Sequence, residues 1–436
     1  MMHEKREAVY CVENKAAGDK ARYAQTELIK YILLLTGEHA DRERCGEEDY
    51  RIAFRLELCG ADRGLGEEGY EIHTREQGKE VVLQAETEQG LLYGVYGLLS
   101  DHYGVGFYFS GDAVPQEKKP LPLCEIEDRR IPEQYIRGVL PWTNFPQSAT
   151  SYSFQDWIYM IDQMTRMRMN FINIHNYNGE FGHNEIFHNI LVNGKMSRNW
   201  NATVSKPHAW GMKGWKVKEY LFGGSEVYDD YDFGADATLH NDCLENEEVF
   251  RKGSSQFAFI IRYAHTRGVK IGLGLDLNLV MGDYGQAADD FSVVDARIHQ
   301  ITTDYSGLDY LLLYRSENSP DFRVWNRAFY RTYNALKEKA PNIRIAVSGW
   351  GLDPDTVIGL PADVIAAPIS GHSVNDRIPD GSIYGEREFW GCPWSERDYN
   401  DSIHFAPYRT LLSNTVGDYQ RRSRNMKGLM TLTWRV

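Results

Sequence analysis

The sequence lacks the features of a membrane-spanning or exported protein. No hydrophobic run approaches the ~20 residues that a membrane-spanning helix requires, and the longest candidate covers only 31–35. The first seven residues, Met-Met-His-Glu-Lys-Arg-Glu, do not contain the apolar core of a signal peptide. We therefore expect a cytoplasmic protein that does not bind membranes; a periplasmic or secreted protein is the alternative if the sequence has been trimmed.

Positive charge is also scarce. The chain of 436 residues carries 48 Lys and Arg against 62 Asp and Glu, which gives a net charge of −14 with neutral histidine. Nucleic acids and anionic membranes are bound by basic surfaces. The charge balance therefore predicts that neither is a partner.

The cysteines form no recognisable motif. The chain has six, and no two of them make a C-x-x-C pair, the spacing typical of zinc and redox sites. We predict reduced, buried thiols, with neither a disulfide framework nor a structural zinc ion. A G-x-S-x-G nucleophile elbow is absent as well, which disfavours a serine hydrolase.

Aromatic residues, in contrast, are abundant. They make up 13% of the chain and include 10 Trp and 27 Tyr. The hydrophobic share of 42% and the charged share of 25% are those of an ordinary globular protein. An aromatic excess in an acidic chain of this size is typical of sugar stacking, although a large core uses aromatic residues too.

The first 125 residues predict a small α/β domain. Alternating apolar residues over 50–58 indicate a strand, and a strand pair is expected at 71–73 and 80–84. Helical spacing covers 20–35, and a second apolar helical face begins after Thr87, a predicted N-cap.

Four prolines between 114 and 132 indicate a linker. Beyond it, strands alternate with helices, which favours a TIM (β/α)8 barrel over 133–436. No G-x-G-x-x-G or Walker sequence occurs in that region, which disfavours an open nucleotide-binding sheet. The predicted fold class is thus α/β, a TIM barrel preceded by a small α+β domain. The eight strands are predicted at 136–142, 170–177, 269–277, 308–317, 343–349, 363–369, 388–394 and 427–435.

Two features qualify this barrel. The chain ends two residues after Trp434, so we expect the last barrel helix to be missing. The connection after the second strand, 178–255, is far longer than an ordinary loop. Loops of that length are usually functional, and this one leaves the carboxyl end of a strand, where barrel active sites lie.

Two glutamates follow strands on roughly opposite sides of the barrel mouth. The fourth strand leads to Glu317 and the seventh to Glu396. Glycoside hydrolysis requires two such carboxylates, because one protonates the leaving oxygen while the other attacks the sugar or activates water. We predict Glu317 as the acid/base and Glu396 as the nucleophile or base.

A structural interpretation of the same glutamates stays open. Glu317 is two residues from Arg315 and Glu396 adjoins Arg397, so each could form a salt bridge at the barrel rim. Asp398 competes with Glu396 for the second catalytic role.

The remaining strand ends carry side chains suited to sugar recognition. Indole rings stack on the C–H faces of sugars, arginine binds carboxylates through paired hydrogen bonds, and His, Asn and Asp bind hydroxyls. Packing and rim bracing are the structural alternatives. The predicted substrate-binding residues are Arg137, Trp142, His175, Asn176, Asp276, Trp350, His372, Trp394, Asp398, Trp434 and Arg435.

Histidines near the second strand raise the question of a metal. His183 and His188 lie five residues apart, which is not the H-E-x-x-H spacing that places two ligands on one helix turn. We therefore predict no metal ion and no cofactor.

One segment resembles a known domain. Gln84-Ala-Glu-Thr-Glu-Gln-Gly-Leu-Leu-Tyr-Gly-Val-Tyr-Gly-Leu-Leu, followed by Tyr103-Gly-Val-Gly-Phe-Tyr-Phe, resembles the non-catalytic α/β domain that precedes the barrel in family 20 hexosaminidases and family 67 α-glucuronidases. Ile136-Arg-Gly resembles the barrel entry of the same enzymes. As architecture the resemblance covers nearly the whole chain; as a motif it covers 70–110.

This resemblance implies a bacterial glycosidase that degrades polysaccharides without a cofactor. Clan A glycoside hydrolases place an acid/base Glu after strand four and a nucleophile Glu after strand seven, the places of Glu317 and Glu396. Ser316 stands where family 20 has the Asp that orients the substrate acetamide and where clan A has an Asn. Family 67 implies specificity for uronic acids, which Arg137 and Arg435 would permit.

Two other functions are compatible with the sequence. A carbohydrate-binding or catalytically degenerate barrel would need only the aromatic residues and hydroxyl partners. A metal-dependent barrel hydrolase would bind its metal through His175 or its neighbours. Fold alone does not decide among these, because barrels host many chemistries.

Overall fold

The chain divides into two compact units. The N-terminal unit comprises Met1–Glu133, Met160–Met169 and Thr266–Gly268, and the barrel unit comprises Gln134–Tyr159, Asn170–His265 and Val269–Val436. The computed structural model describes residues 9–42, 45, 50–141, 152, 154–176, 203–206, 213–216, 246–277, 291–315, 322–350, 352–370, 380–393, 417, 419–421, 423 and 425–433.

A six-stranded sheet, a separate two-stranded antiparallel sheet and two helices form the N-terminal unit. Its elements are β1 (Tyr10–Asn14), α1 (Asp19–Thr36), β2 (Ala40–Asp41), β3 (Ile52–Leu58), β4 (Tyr70–Arg75), β5 (Glu80–Ala85), α2 (Glu88–Gly97), β6 (Gly106–Tyr108), β7 (Gly111–Ala113) and β8 (Glu127–Arg130). The strands lie in the order β2-β1-β3-β5-β4-β8. β4 runs antiparallel to both β5 and β8, and the other neighbouring strands of this sheet are parallel.

Helix α2 packs closely on the sheet because glycines lie along it. A Cβ atom at Gly94 would lie 3.3 Å from the Tyr70 side chain, and one at Gly97 would collide with the Tyr70 hydroxyl. The predicted cap is confirmed, since the Thr87 side chain accepts a hydrogen bond from the Gly90 amide at 3.0 Å. The close approach of this helix to its strands explains the glycines of the segment that begins at Gln84.

The strands of this unit bury alternate residues, as predicted for 50–58. Ile52, Phe54 and Leu56 are buried, whereas Ala53, Arg55 and Glu57, which alternate with them, are half-buried. Arg55 pairs with Glu13 on β1 and Glu80 on β5. One side of β3 therefore supports the core, while the other carries ion pairs that join three strands.

The expectation that all cysteines are reduced is wrong. Cys11 on β1 forms a disulfide with Cys45, with their Cα atoms 5.8 Å apart and 34 residues between them in sequence. Such a distant pair has no spacing signature and meets only after α1 has returned the chain to the sheet. Cys59, Cys124 and Cys392 are free thiols within the described part of the chain.

The proline-rich stretch predicted as a linker contributes to the sheet. β8 lies inside that stretch and pairs with β4, with Tyr70 opposite Arg130 and His73 opposite Glu127. Its sequence, Glu-Asp-Arg-Arg, has no apolar alternation, which is why hydrophobic patterning does not reveal it.

The barrel is closed and has eight parallel strands, which confirms the predicted fold class. Its order is β10-β13-β14-β15-β16-β17-β18-β9. These strands and the elements between them are β9 (Ile136–Pro141), α3 (Phe154–Arg166), β10 (Phe171–Asn176), β11 (Thr203–Lys206), β12 (Lys213–Lys216), α4 (Asn246–Arg267), β13 (Lys270–Asp276), α5 (Ser292–Thr303), β14 (Tyr310–Tyr314), α6 (Phe322–Lys339), β15 (Arg344–Trp350), α7 (Pro354–Ile358), β16 (Ile365–Ser370), β17 (Phe389–Pro393) and β18 (Met426–Thr433).

The predicted long connection 178–255 is described only in part. β11 and β12 pair antiparallel within it, and α4 begins within it, at Asn246. None of the helices in the described ranges is long and apolar enough to cross a membrane.

Aromatic residues and an ion pair occupy the amino end of the barrel. Phe171, Tyr310 and Trp390 meet edge to face, with ring centroids 5.0 to 5.4 Å apart. Glu388 accepts hydrogen bonds from the Trp390 indole at 2.8 Å and from Arg344 at 2.6 Å. This end is therefore a packed core, which leaves the carboxyl end as the place to look for a site.

Candidate functional site

The two predicted catalytic glutamates follow strands that the barrel places apart. β14 is the fourth strand of the barrel along the chain and β17 is the seventh, and two strands separate them on the shorter way round. β14 ends at Tyr314 and β17 ends at Pro393. Glu317 and Glu396 each follow three residues later. Both lie outside the described residues, so their roles stay predictions.

A histidine–tyrosine stack forms part of the inner wall where β14 ends. His175 on β10 and Tyr314 on β14 are both buried, and their ring centroids lie 3.8 Å apart with an angle of 28° between the planes. β13 runs between these two strands. The rings meet because β13 carries Gly274 at this level, where a Cβ atom would lie 2.6 Å from His175 Nδ1.

A buried asparagine lies beside this stack. Asn173 on β10 is 0% exposed, and its Nδ2 donates a hydrogen bond to Tyr314 Oη at 3.3 Å. Gly272 on β13 makes room for it, since a Cβ atom there would lie 2.8 Å from Asn173 Oδ1. The two glycines of β13 thus allow β10 and β14 to place polar side chains in contact inside the barrel.

The end of β14 is also held through its backbone. The indole of Trp325 on α6 donates to the Tyr314 carbonyl oxygen at 3.2 Å. The Arg315 amide donates to the Ser348 carbonyl at 3.1 Å. Gly349 has φ +132°, and a Cβ atom there would collide with the Arg315 carbonyl oxygen. A glycine is therefore required at this position of β15.

Arg315 connects this strand end to the next helix. Its guanidinium donates to Thr356 Oγ1 at 3.3 Å, and Thr356 Oγ1 donates to Asp353 at 2.7 Å. The hydrogen bond from Thr356 holds the pKa of Asp353 below its ordinary value, against a smaller opposing effect of burial. Arg315 thus has a described partner other than Glu317, and the predicted salt bridge between them is untested.

The structure places Arg137 away from the carboxyl ends of the strands. It is the second residue of β9, and its guanidinium donates to the Gln134 carbonyl oxygen at 2.8 Å. Its amide donates to Asn170 Oδ1 at 2.8 Å. These contacts are at the amino end of the barrel, so the structure does not bring Arg137 together with His175.

The other predicted binding residues divide into two groups. Asn176, Asp276 and Trp350 are the last residues of β10, β13 and β15. Their backbones therefore reach the carboxyl end of the barrel, as predicted. The second group lies outside the described residues: Trp142, His372, Trp394, Asp398, Trp434 and Arg435.

Cysteine and metal chemistry find no support among the described residues. Complete burial raises the pKa of the Cys392 thiol far above its ordinary value, which makes it a poor nucleophile. Within the described ranges, no three His, Cys, Asp or Glu side chains are grouped so that they could hold a metal ion. His183 and His188 lie outside those ranges.

Sequence comparison finds a match for the N-terminal part of the chain. Residues 3–98 match the family described as the glycosyl hydrolase family 67 N-terminus. No curated protein matches the chain.

Solved structures extend the likeness over both units. A GH138 enzyme targeting pectin rhamnogalacturonan II superposes with a TM-score of 0.60 at 14% identity, covering 98% of this chain and 46% of that one. The β-N-acetylhexosaminidase of Bacteroides fragilis superposes with a TM-score of 0.53 at 14% identity, and the match covers 97% of this chain and 80% of that one. The chain has the fold of glycoside hydrolases with an N-terminal domain before a barrel.

A third similar structure is a GH115 4-O-methyl-α-glucuronidase with specificity for decorated arabinogalactans. It gives a TM-score of 0.58 at 10% identity, covering 98% of this chain and 54% of that one. The chain thus spans about half the length of the GH138 and GH115 enzymes.

Sequence reasoning misses Asn173 and Tyr314 as members of this wall. A signal for Asn173 is present in Phe171-Ile-Asn-Ile-His175, where polar residues alternate with isoleucines in a buried strand. Period-two alternation places Asn173 on the same face as His175. The contact with Tyr314 depends on the register across β13, which the sequence does not show.

Proposed function

We propose that this chain is a glycoside hydrolase that uses Glu317 as acid/base and Glu396 as nucleophile or base. The observation that carries the proposal is that the fourth and seventh strands of a closed barrel each lead to a glutamate within three residues. The family 67 match and the fold likeness support it. Active sites of barrel enzymes lie at the carboxyl ends of the strands.

The chemistry divides between the two carboxyl groups. Glu317 in its acid form would transfer a proton to the glycosidic oxygen as the C–O bond breaks. Glu396 would stabilise the resulting oxocarbenium-like centre by attack or by deprotonating water. A carboxyl separation of about 5 Å would retain the anomeric configuration, and one of about 6.5–9.5 Å would invert it.

The similar proteins point to two substrate classes. The family 67 match and the GH115 likeness favour a uronic acid, whereas the B. fragilis enzyme favours an N-acetylhexosamine. Ser316 replaces the Asp that would orient an acetamide in family 20. We therefore place an α-glucuronoside ahead of an N-acetylhexosaminide, with an oligo- or polysaccharide as the substrate.

Hydrolysis of an aryl glycoside panel tests the proposal. The panel includes glucuronides and N-acetylhexosaminides, and it compares wild type with Glu317→Gln and Glu396→Gln. Because each variant removes one ionisable carboxyl group, we expect kcat to fall by about 10²–10⁴-fold in both.

A third variant, Glu338→Gln, provides the matched control. Glu338 is exposed near the end of α6, so the same chemical change should leave kcat as in wild type. Undiminished turnover of a phenyl glycoside, whose leaving group needs the proton, by Glu317→Gln would reject the acid/base assignment. A wild type that cleaves no glycoside would favour a carbohydrate-binding or degenerate barrel.

A further inference from the structure

The end of β14 is held more firmly than strand pairing requires. Tyr314 receives a hydrogen bond on its hydroxyl from Asn173, another on its carbonyl oxygen from Trp325, and a stacking contact from His175. Arg315 is bound through its amide to Ser348 and through its guanidinium to Thr356. Five contacts from four other elements therefore converge on two consecutive residues.

Asn173 is the member of this set whose burial is hardest to explain by stability. Its side chain is fully buried, and its Oδ1 lies where a Cβ atom at Gly272 would approach to 2.8 Å. Among the described residues, no donor reaches Asn173 Oδ1. A buried carbonyl without a hydrogen bond destabilises a fold, and an apolar residue of similar size would avoid that cost.

We propose that Asn173 is a positioning residue of this hydrolase, which fixes the end of β14, and with it Glu317, through the Tyr314 hydroxyl. This inference rests on the proposed function. Glu317 follows Tyr314 by three residues in the sequence, so we expect a displacement of the tyrosine to displace the glutamate as well. A misplacement of about 1 Å can reduce a catalytic rate by about 10²-fold.

The dependence of the rate on the leaving group distinguishes a role of Asn173 in positioning the acid from a general role in stabilising the fold. Glu317 would act by moving its proton to the leaving oxygen as the C–O bond breaks. A weakly basic leaving group such as dinitrophenolate departs without that proton, whereas phenolate needs it much more. Misplacement of the acid therefore slows a phenyl glycoside selectively, while loss of folded protein slows both substrates equally.

The experiment compares Asn173→Leu with wild type on phenyl and dinitrophenyl glycosides of the sugar that the panel selects. We expect kcat/KM to fall about tenfold on the phenyl glycoside and less than about twofold on the dinitrophenyl glycoside. The thermal unfolding temperature should not fall, because leucine removes a buried amide that is only partly hydrogen-bonded.

Two more variants keep the test decisive. Tyr314→Phe removes the acceptor of the Asn173 hydrogen bond and should show the same selective loss, whether or not Asn173→Leu folds. Tyr310→Phe is the control, because Tyr310 is a buried tyrosine of the same strand at the amino end of the barrel. It should leave both values of kcat/KM unchanged.

Equal losses on both glycosides, or no loss on either, would overturn the positioning role while the hydrolase assignment stood. A wild type that cleaves no member of the panel would overturn the proposed function and this inference together.

Discussion

A buried polar side chain of the N-terminal unit and one of the barrel differ in how completely their polar atoms are hydrogen-bonded. In the N-terminal unit, Glu27 is 4% exposed and is bound by Arg166 at 3.0 Å, Tyr96 at 3.1 Å and Lys30 at 3.3 Å. In the barrel, the only described hydrogen bond of the Asn173 side chain is the one to Tyr314. The first arrangement satisfies its buried charge, whereas the second leaves a polar atom of the inner wall without a described partner.

The two cases illustrate two reasons for burying a polar side chain: stability of the fold, and the positioning of a catalytic group. A fully paired group such as Glu27 joins α1 to Arg166 of α3 and to Tyr96 of α2, and its value is structural. A partly paired group in a barrel wall stabilises the fold less than an apolar side chain would. Its presence beside Tyr314 is better explained by the proposed acid/base Glu317, which lies three residues beyond that tyrosine in the chain.

The largest loss of stability is expected when the ion pair between Glu27 and Arg166 is broken. Glu27→Leu leaves the Arg166 guanidinium with only the more distant carboxylate of Asp112, at 4.0 Å, so we expect the free energy of unfolding to fall by about 3 kcal/mol. Urea-induced unfolding measures this change. Activity of the folded fraction should be unaffected, since no reacting group is altered.

A double variant is the control for this first prediction. Glu27→Leu with Arg166→Met removes both charges and should recover most of the lost stability, because an apolar pair needs no buried partner. A double variant no more stable than Glu27→Leu alone would contradict the view that the loss of the Glu27 carboxylate from beside Arg166 causes the fall in stability.

In the barrel, Gly274→Ala is expected to lower the free energy of unfolding by a smaller amount. The new Cβ atom would lie 2.6 Å from His175 Nδ1 and 2.7 Å from His175 Cβ, so the histidine must leave its place against Tyr314. We expect the free energy of unfolding to fall by about 1–3 kcal/mol. The loss of kcat/KM should be greater for a phenyl than for a dinitrophenyl glycoside, as for Asn173→Leu.

Gly359→Ala is the matched control for that change. At Gly359 a Cβ atom would meet its nearest neighbour at 3.5 Å, which is ordinary contact, so stability and activity should stay as in wild type. A Gly274→Ala enzyme with wild-type stability would show that His175 does not depend on the glycine.

Much of the fold is readable from the sequence because its strands carry simple patterns. Ile52, Phe54 and Leu56 alternate with smaller or polar residues, as a sheet covered on one side requires, and all eight barrel strands overlap with predicted segments. β8 escapes prediction because four charged residues carry no apolar signal. The disulfide of Cys11 escapes it because the bond joins residues 34 apart.

The candidate site is less readable, since it depends on register between strands. His175 is recognisable as a strand-end histidine, but its stacking on Tyr314 needs a glycine on the strand between them. The location of Arg137, in contrast, could have been predicted from the sequence. Its position as the second residue of β9 already implies the amino end of the barrel, and counting along the strand would have excluded it from the mouth.

The smallest effect is expected where ion pairs are only half-buried, on β3 of the N-terminal unit. Burial opposes ionisation of Glu57, but hydrogen bonds from Lys15 and Gln84 outweigh it and lower the pKa of Glu57 from the ordinary value of 4.5. Its stabilising contribution is therefore present above pH 4.5 and is lost as the pH falls through the lower folded-state pKa.

Glu57→Gln should flatten the acid limb of stability against pH by less than about 1 kcal/mol, because the pair is partly solvated. Urea unfolding at a series of pH values measures the difference. Glu38→Gln, at an exposed glutamate after α1, should reproduce the wild-type curve. An acid limb as steep in Glu57→Gln as in wild type would mean that the half-buried ion pair of Glu57 does not stabilise the fold. Buried pairs such as that of Glu27 would then account for the polar stabilisation of this unit.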